Sequence, residues 1–294
     1  MKRILRITAA LIGFGLIGIS PVLAQVVLYG ANGAGGNNAA VLVTLNPATG
    51  AVLSTIGPIG MPVTGLAVHP TTGVLYGTTG NGGGAPVNPN SLIRINRTTG
   101  VGTLIGATGL GNPVADITFR SDGTLFGWSE DTDDLVTLNL TTGVATVVGP
   151  SGVGTAGSGL TFGAGGVLFF TGQGATGDIA TVNPATGLVT AGPALTGSPN
   201  GNQINALAFN AGVIYGSDFA GGGAGGAANL VRINTATGVI TDLGPTIDGL
   251  DAIAFGAAFA PGDSVGIPTM SEWALLLLAL LMVAVAFRAH RKRT

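Results

Sequence analysis

The nonapeptide LVTLNPATG at residues 42–50 recurs four more times along this chain of 294 residues. The other copies are LIRINRTTG (92–100), LVTLNLTTG (135–143), IATVNPATG (179–187) and LVRINTATG (230–238). Alternating apolar and polar residues are typical of a half-buried strand, the Asn favours a turn, and the final Gly supplies a positive φ. Each copy therefore predicts a β-hairpin.

The spacing of the copies indicates the architecture. Their Asn residues lie 43 to 51 residues apart, a period typical of propeller blades and solenoids. Between copies stands a second pattern of strand, tight turn and strand, as in TGLAVHPTTGVLYG (64–77) and ADITFRSDGTLFG (115–127). Each period thus supplies four short strands. The sequence predicts an all-β fold, a β-propeller of about five four-stranded blades over residues 25–260, with a four- or six-fold ring or an open array as alternatives.

The two ends of the repeat region complement each other. The region begins partway through a repeat, with VVLYG (26–30). The strand that precedes this segment in the other repeats occurs at the far end of the region, as DAIAF (251–255). We predict that residues 252–255 pair with residues 26–29, so that one blade is completed from both ends. Such closure would remove the exposed sheet edges of an open array.

Charge is scarce and unevenly distributed. Only 8% of the residues are charged, and the stretch 25–266 contains four Arg and no Lys against twelve acids, which argues against nucleic acid as a partner. That stretch holds one Glu and one His, and the chain has no Cys. We interpret the single His69, beside Pro70, as a turn residue. The residue types of most catalytic sites are therefore rare, and we predict that the protein is not an enzyme.

Polar residues stand at equivalent places where the innermost strand of each blade should begin, namely Thr64, Asp116, Ser158, Asn205 and Asp251. They would ring one mouth of the central channel, and such concavities often hold ligands. The alternative is that short polar residues merely begin strands. Gly-rich inserts in four repeats (31–40, 78–90, 172–177 and 219–229) are predicted to form loops on one face.

The remaining repeat, the third along the chain, carries acids in place of the Gly-rich insert, Glu130, Asp131, Asp133 and Asp134. Ca²⁺ takes six to eight oxygen ligands, so this cluster is a candidate Ca²⁺ site, the only cofactor that the sequence suggests. The Gly and terminal Glu of an EF-hand loop are missing, and a solvated charged turn is the alternative.

Both ends of the chain predict export. Lys2, Arg3 and Arg6 precede an apolar run and the small-residue segment SPVLA (20–24), which predicts a signal peptide over 1–24, removed by signal peptidase after Ala24. After a linker at 261–266, fourteen apolar residues (274–287) lie between Trp273 and a basic tail. This order predicts a transmembrane helix over 273–288 with its C-terminus in the cytoplasm.

The segment 267–294 resembles the IPTL-CTERM sorting signal of exported proteins in Gram-negative bacteria. The matching stretch is Ile267, Pro268, Thr269, Met270, Ser271, Glu272 and Trp273, followed by the apolar span and the basic cluster. Met270 stands where the family usually has Leu, and Ala274 where Gly is common. The resemblance implies that an exosortase-type membrane transpeptidase removes the tail and passes the protein to the cell surface or the extracellular matrix.

The repeats also resemble, more loosely, bacterial propellers with LYxINPxTG repeats, a likeness that implies fold rather than function. The leading hypothesis is an exported, non-enzymatic propeller that is first inserted in the membrane and then presents its loops to a polysaccharide or a surface protein. One alternative is a propeller enzyme of the streptogramin-lyase type, with Asp116, Asn205 and Asp251 at the channel mouth. Another is a periplasmic protein tethered permanently by its C-terminal helix.

Overall fold

The computed structural model describes residues 26–33, 40–82, 86–154, 158–172, 177–201, 203–220 and 226–257. They form five four-stranded antiparallel sheets and a single 3₁₀ turn, Ala164–Gly166. The prediction of an all-β propeller with five four-stranded blades is therefore confirmed. The predicted signal peptide, the linker 261–266 and the sorting segment 267–294 lie outside the described residues.

The blades follow one another along the chain. Within each blade, successive strands are ordered from the central channel outward. Blade one contains β1 (Val26–Asn32), β2 (Val41–Leu45) and β3 (Val52–Pro58); blade two β4 (Val63–Val68), β5 (Leu75–Thr79), β6 (Ser91–Ile95) and β7 (Gly102–Ala107); blade three β8 (Val114–Phe119), β9 (Leu125–Ser129), β10 (Asp134–Leu138) and β11 (Ala145–Gly149); blade four β12 (Ser158–Phe162), β13 (Leu168–Gly172), β14 (Ile179–Val182) and β15 (Val189–Thr190); and blade five β16 (Ile204–Asn210), β17 (Val213–Phe219), β18 (Ala228–Ile233) and β19 (Ile240–Pro245).

The last strand, β20 (Leu250–Ala257), completes blade one. It pairs antiparallel with β1, so that Phe255 lies opposite Leu28 and Ala254 opposite Tyr29. This pairing confirms the predicted closure of the ring by both ends of the repeat region. The innermost strands β20, β4, β8, β12 and β16 then contact one another in sequence around the channel.

The repeated nonapeptide forms the hairpin between the third and fourth strands of each blade. In the first copy, the Asn46 side-chain oxygen accepts the Ala48 amide at 2.9 Å, and the Gly50 amide donates to the Asn46 carbonyl at 2.9 Å. Gly50 has a φ of +73°, and the equivalent glycines of the other four copies also have positive φ. The Asn thus forms the turn and the Gly adopts the positive φ, as the sequence predicts.

The same glycines make close backbone contacts between blades. The hairpin glycine of one blade lies against the backbone of the outer strand of the preceding blade. A Cβ added to Gly187 would lie only 2.5 Å from the Gly149 carbonyl oxygen, and one added to Gly50 would lie 2.5 Å from that of Gly244. The remaining pairs are Gly100 with Gly57, Gly143 with Gly106, and Gly238 with Ala194. These five contacts form a closed ring, because the contact of Gly50 joins blade one to blade five.

Apolar side chains fill the five spaces between neighbouring blades. Between blades three and four, Trp128 is fully buried and packs on Phe170 with the ring centroids 4.0 Å apart. Buried hydroxyl groups also join the blades: Thr171 donates to the Ile204 carbonyl at 3.0 Å, and Ser217 donates to that of Leu250 at 2.6 Å. Each blade is therefore stabilised mainly by its two neighbours.

The two faces of the ring differ in what they carry. We call the face at which the innermost strands begin the upper face and the face at which they end the lower face. Because successive strands are antiparallel, the loops between second and third strands lie on the upper face, and the nonapeptide hairpins lie on the lower face. Among the described residues there is no helix with the length and apolar character that a membrane span requires.

Candidate functional site

The upper face brings together the predicted mouth residues and the loops that surround them. Thr64, Asp116, Asn205 and Asp251 all lie near the starts of innermost strands, as the repeat alignment predicts, and Ser158 is the first residue of β12. The described ends of the Gly-rich inserts and the acid-rich stretch 130–133 are on this face too. The centre of the face is the candidate site.

Asp116 is the most deeply placed of these residues. It is fully buried; one carboxylate oxygen accepts the Ile117 amide at 2.9 Å, and the other accepts the amides of Leu160 at 2.9 Å and Leu207 at 3.0 Å. The pairing register of β8 shifts between Val114 and Ile117, which marks a β-bulge at Asp116. The carboxylate therefore joins the innermost strands of blades three, four and five across the channel.

Burial has a strong effect on this carboxyl group. It raises the pKa of Asp116 well above its ordinary value, because a charge in an apolar interior loses its hydration. The three amide hydrogen bonds oppose this rise, and the charge of Asp251 adds to it. The two carboxyl groups are therefore close enough within the channel to repel each other electrostatically.

A side-chain hydrogen bond joins Asn205 and Asp251 at the channel mouth. The Asn205 side-chain amide donates to the Asp251 carboxylate at 3.2 Å. Burial raises the pKa of Asp251 from 3.8 to about 7, the bond from Asn205 opposes the rise, and the charge of Glu130 adds to it. The structure thus brings Asp116, Asn205 and Asp251 together and places Glu130 within electrostatic reach, so the mouth of the channel is acidic.

Thr64 has a structural role at the start of its strand. The Thr64 hydroxyl donates to the Val114 carbonyl at 2.7 Å, a bond between blades two and three. Ser158 lies opposite Gly172 in the strand pairing of blade four. For Thr64 the alternative that a short polar residue begins a strand and stabilises it accounts for what is observed.

The candidate Ca²⁺ ligands are directed to different places. Asp131 accepts the Gly111 amide at 3.0 Å, Asp134 accepts the Ser151 amide at 2.8 Å, and Glu130 acts on Asp251. In the described part of the chain, no three or more His, Cys, Asp or Glu residues are grouped so that they could hold a metal ion. The structure therefore gives the Ca²⁺ hypothesis no support, and two of the four acids instead hold connections between blades.

Sequence reasoning missed a polar network in blade five. Asp218 is fully buried and accepts the Ser198 hydroxyl at 2.6 Å, while the Asn200 side chain donates to the Asp218 carbonyl at 3.0 Å. Burial raises the pKa of Asp218, and the charge of Asp242 adds to this rise. The only sequence signal was an acid inside a second strand whose other residues are uncharged. These bonds hold the connection between blades four and five.

His69 lies at the opposite end of the channel from the mouth. Its Nδ1 accepts the amides of Thr71 and Thr72, both at 3.2 Å, and its ring packs on Phe119 with the centroids 4.9 Å apart. It lies in the lower-face turn after β4, in agreement with its interpretation as a turn residue. Among the described residues, the one histidine and the mouth carboxylates are therefore at opposite ends of the innermost strands.

Comparison with known proteins bears on the fold and the C-terminus. The family model described as the IPTL-CTERM motif matches residues 266–292. A chain in the crystal structure of a nidogen/laminin complex is similar, at 15% identity and a TM-score of 0.52, over 80% of this chain and 100% of that chain. A catalytically inactive virginiamycin B lyase from Staphylococcus aureus, solved with quinupristin, gives 15% identity and a TM-score of 0.42 over 72% of this chain and 68% of that one.

No curated protein matches this chain in sequence. The similarity to the nidogen/laminin structure concerns the fold alone. The sorting motif and the propeller fold together support an exported propeller protein. The chain is a five-bladed β-propeller that carries an IPTL-CTERM motif at residues 266–292.

Proposed function

We propose that this protein is a non-enzymatic binding propeller at the cell surface or in the extracellular matrix, delivered there by an exosortase-type transpeptidase. The observation that carries the proposal is the sorting motif at 266–292, which follows soon after the closing strand ends at Ala257.

The proposed route has three steps. Signal peptidase removes residues 1–24 during export, and the apolar segment 273–288 then holds the protein in the membrane. The IPTL-CTERM motif supports processing by a sorting transpeptidase, which would recognise the polar residues before the apolar segment. The propeller would then leave the membrane without its tail.

The contacts at the channel mouth favour binding over catalysis. A general acid or base must reach a proton of the substrate directly or through one water. Both oxygens of Asp116 instead accept backbone amides, and His69 is held in a turn on the other face. These groups are thus engaged in holding the fold.

One observation favours the enzyme alternative. The pKa of Asp251, raised to about 7, is in the range that suits acid–base catalysis near neutral pH. In a lyase-like enzyme, Asp251 would move the proton while Asn205 orients the substrate. Loss of a measured lyase activity in Asp251→Asn, with the fold unchanged, would favour this alternative over binding alone.

The upper face would be the binding surface of the proposed propeller. Its loops carry Glu130, Asp131 and Asp133, and the described part of this face contains no Arg or Lys side chain. Such a field disfavours anionic partners, including nucleic acid, and favours a neutral polysaccharide or a protein surface with basic groups.

The experiment follows the tail in cells that contain the cognate transpeptidase. Replacement of Pro268 and Thr269 by Ala should leave membrane insertion intact, because insertion depends on apolar length and flanking charge. It should block processing, so that the full-length precursor accumulates in the membrane fraction. The matched control replaces Pro261 and Ser264, a Pro and a hydroxyl residue outside the matched segment, and should be processed like the wild type. If the wild-type protein itself stays full-length in the membrane, the permanent tether replaces the sorting hypothesis.

A further inference from the structure

The chain enters and leaves the propeller at the lower face. Strand β20 ends there at Ala257, which lies opposite Val26, the first described residue. Arg97 in a lower-face hairpin donates to the Ala257 carbonyl at 2.8 Å and so holds this exit point. The segment that carries the sorting motif therefore starts from the lower face and not from the acidic mouth.

Basic side chains are confined to the lower half of the described propeller. Arg97 and Arg120 lie in lower-face turns, and Arg94 and Arg232 stand one residue before the lower ends of β6 and β18. The guanidinium groups of Arg94 and Arg232 lie 6.0 Å and 5.7 Å from the ring centroids of Tyr76 and Tyr215. Arg120 is paired with Asp122 at 2.7 Å.

Acidic side chains show the opposite distribution. Asp122, the partner of Arg120, is the only described acid in the lower half. The others lie at upper-face loops, at upper strand ends or bonded to residues there: Asp116, Glu130, Asp131, Asp133, Asp134, Asp178, Asp218, Asp242, Asp248 and Asp251. The propeller is therefore polarised, with an acidic upper half and a basic lower half.

A cleft opens on the lower face between blades four and five. Its volume is about 420 Å³, and its lining includes Phe169, Phe209, Arg232 and Asn234. A guanidinium group beside aromatic rings suits an anionic group attached to an apolar body. The described acids of blade five lie toward its other end.

We propose that the lower face docks on an anionic lipid bilayer surface, with the acidic upper face directed away from it. The arginines of the lower face would complement the lipid phosphates. The exit of the tail at Ala257 is consistent with this orientation only if the tail inserts in the membrane, so the inference rests on that part of the proposed function. Docking then leaves the channel mouth accessible to a partner.

The absence of Cys from the sequence allows a direct test of the orientation. Ser121→Cys in the lower-face turn between β8 and β9 and Val87→Cys on the upper face each provide one labelling site, and both residues are exposed. The full chain carrying a fluorophore at either site is reconstituted in vesicles of phosphatidylcholine, with or without phosphatidylglycerol, that contain a headgroup-linked quencher. We expect quenching at position 121 but not at position 87, and stronger quenching when phosphatidylglycerol is present.

Charge variants identify the side chains responsible. Replacing Arg94 and Arg232 by Gln should lower the ratio of docked to undocked protein on anionic vesicles by about fivefold for each arginine, the factor expected for one basic side chain near such a surface. The control pair Arg120→Gln with Asp122→Asn removes an ion pair without net charge and should have little effect. Circular dichroism checks that each variant is folded.

Three results would overturn the inference: equal quenching at both positions, no dependence on phosphatidylglycerol, or a chain that stays in solution with both vesicle types. The assay contains no transpeptidase. A failure of sorting in cells and a failure of docking on vesicles are therefore distinguishable.

Discussion

The contacts between hairpin glycines and outer strands allow a quantitative test of how the blades hold together. Gly187 has a φ of +79° and lies against Gly149 of the preceding blade, whereas Gly109 has a φ of +81° and no atom within 4 Å of an added Cβ. Gly187→Ala and Gly109→Ala therefore share the same backbone strain. They differ in whether the new methyl group meets another blade.

The expected magnitudes follow from these geometries. A left-handed φ costs an alanine about 1–2 kcal/mol, so this is the full expected loss for Gly109→Ala. In Gly187→Ala the methyl carbon would also lie 2.5 Å from the Gly149 carbonyl oxygen, and both groups belong to the backbone, so no rotamer change relieves the overlap. Overpacking of this kind costs about 1–3 kcal/mol more, so we expect a total of about 2–5 kcal/mol.

Urea denaturation followed by circular dichroism measures both values. Gly149→Ala adds a methyl group to the other side of the same contact, at a residue whose φ is outside the left-handed region. The double variant with Gly187→Ala should lose less free energy of unfolding than the sum of the two single variants, because one shift of the blades relieves both overlaps. Equal losses for Gly187→Ala and Gly109→Ala would refute the reasoning, because backbone strain alone would then account for both.

Further predictions concern the site and the processing of the chain. Asp116→Ala leaves three buried amides without their acceptor, so the free energy of unfolding in urea should fall by about 3 kcal/mol, and an unchanged value would contradict its role in joining blades. The pKa of Asp251 rises from 3.8 to about 7 on folding, so its stabilising contribution is present below 3.8 and is lost as the pH rises to about 7. Asp251→Asn should therefore show a smaller decline of stability over that window in denaturation curves. Mass spectrometry of the exported protein should find Gln25 at its N-terminus, and a protein that still begins at Met1 would contradict the predicted cleavage after Ala24.

The fold was predictable because the repeat encodes local structure. Asn46 and Gly50 specify a hairpin through bonds within five residues, and four further copies specify the same hairpin in the same way. The closing pair of β1 and β20 was predictable for a different reason: the strand pattern was incomplete at one end and in excess at the other. Local patterns of this strength leave few alternative topologies.

The candidate site was predictable only in part. Alignment of the repeats placed Asp116, Asn205 and Asp251 near the upper mouth, because equivalent strand positions lie at equivalent heights in the ring. It could not indicate that Asp116 binds amides of β12 and β16, since those residues are 44 and 91 positions away along the chain. The sequence also grouped Glu130 with the neighbouring acids as a candidate ligand. In the folded chain, the charge of Glu130 instead acts on Asp251.

By itself, the sequence determined the period, the hairpins, the number of strands per blade and the C-terminal signal, because each depends on residues that are close together along the chain. Only the tertiary structure decided which face each charge occupies. Antiparallel strands alternate in direction, so two residues separated by one strand, such as Arg120 and Glu130, ten positions apart, lie on opposite faces of the ring. The acidic mouth and the basic lower face thus arise from the path of the chain through space.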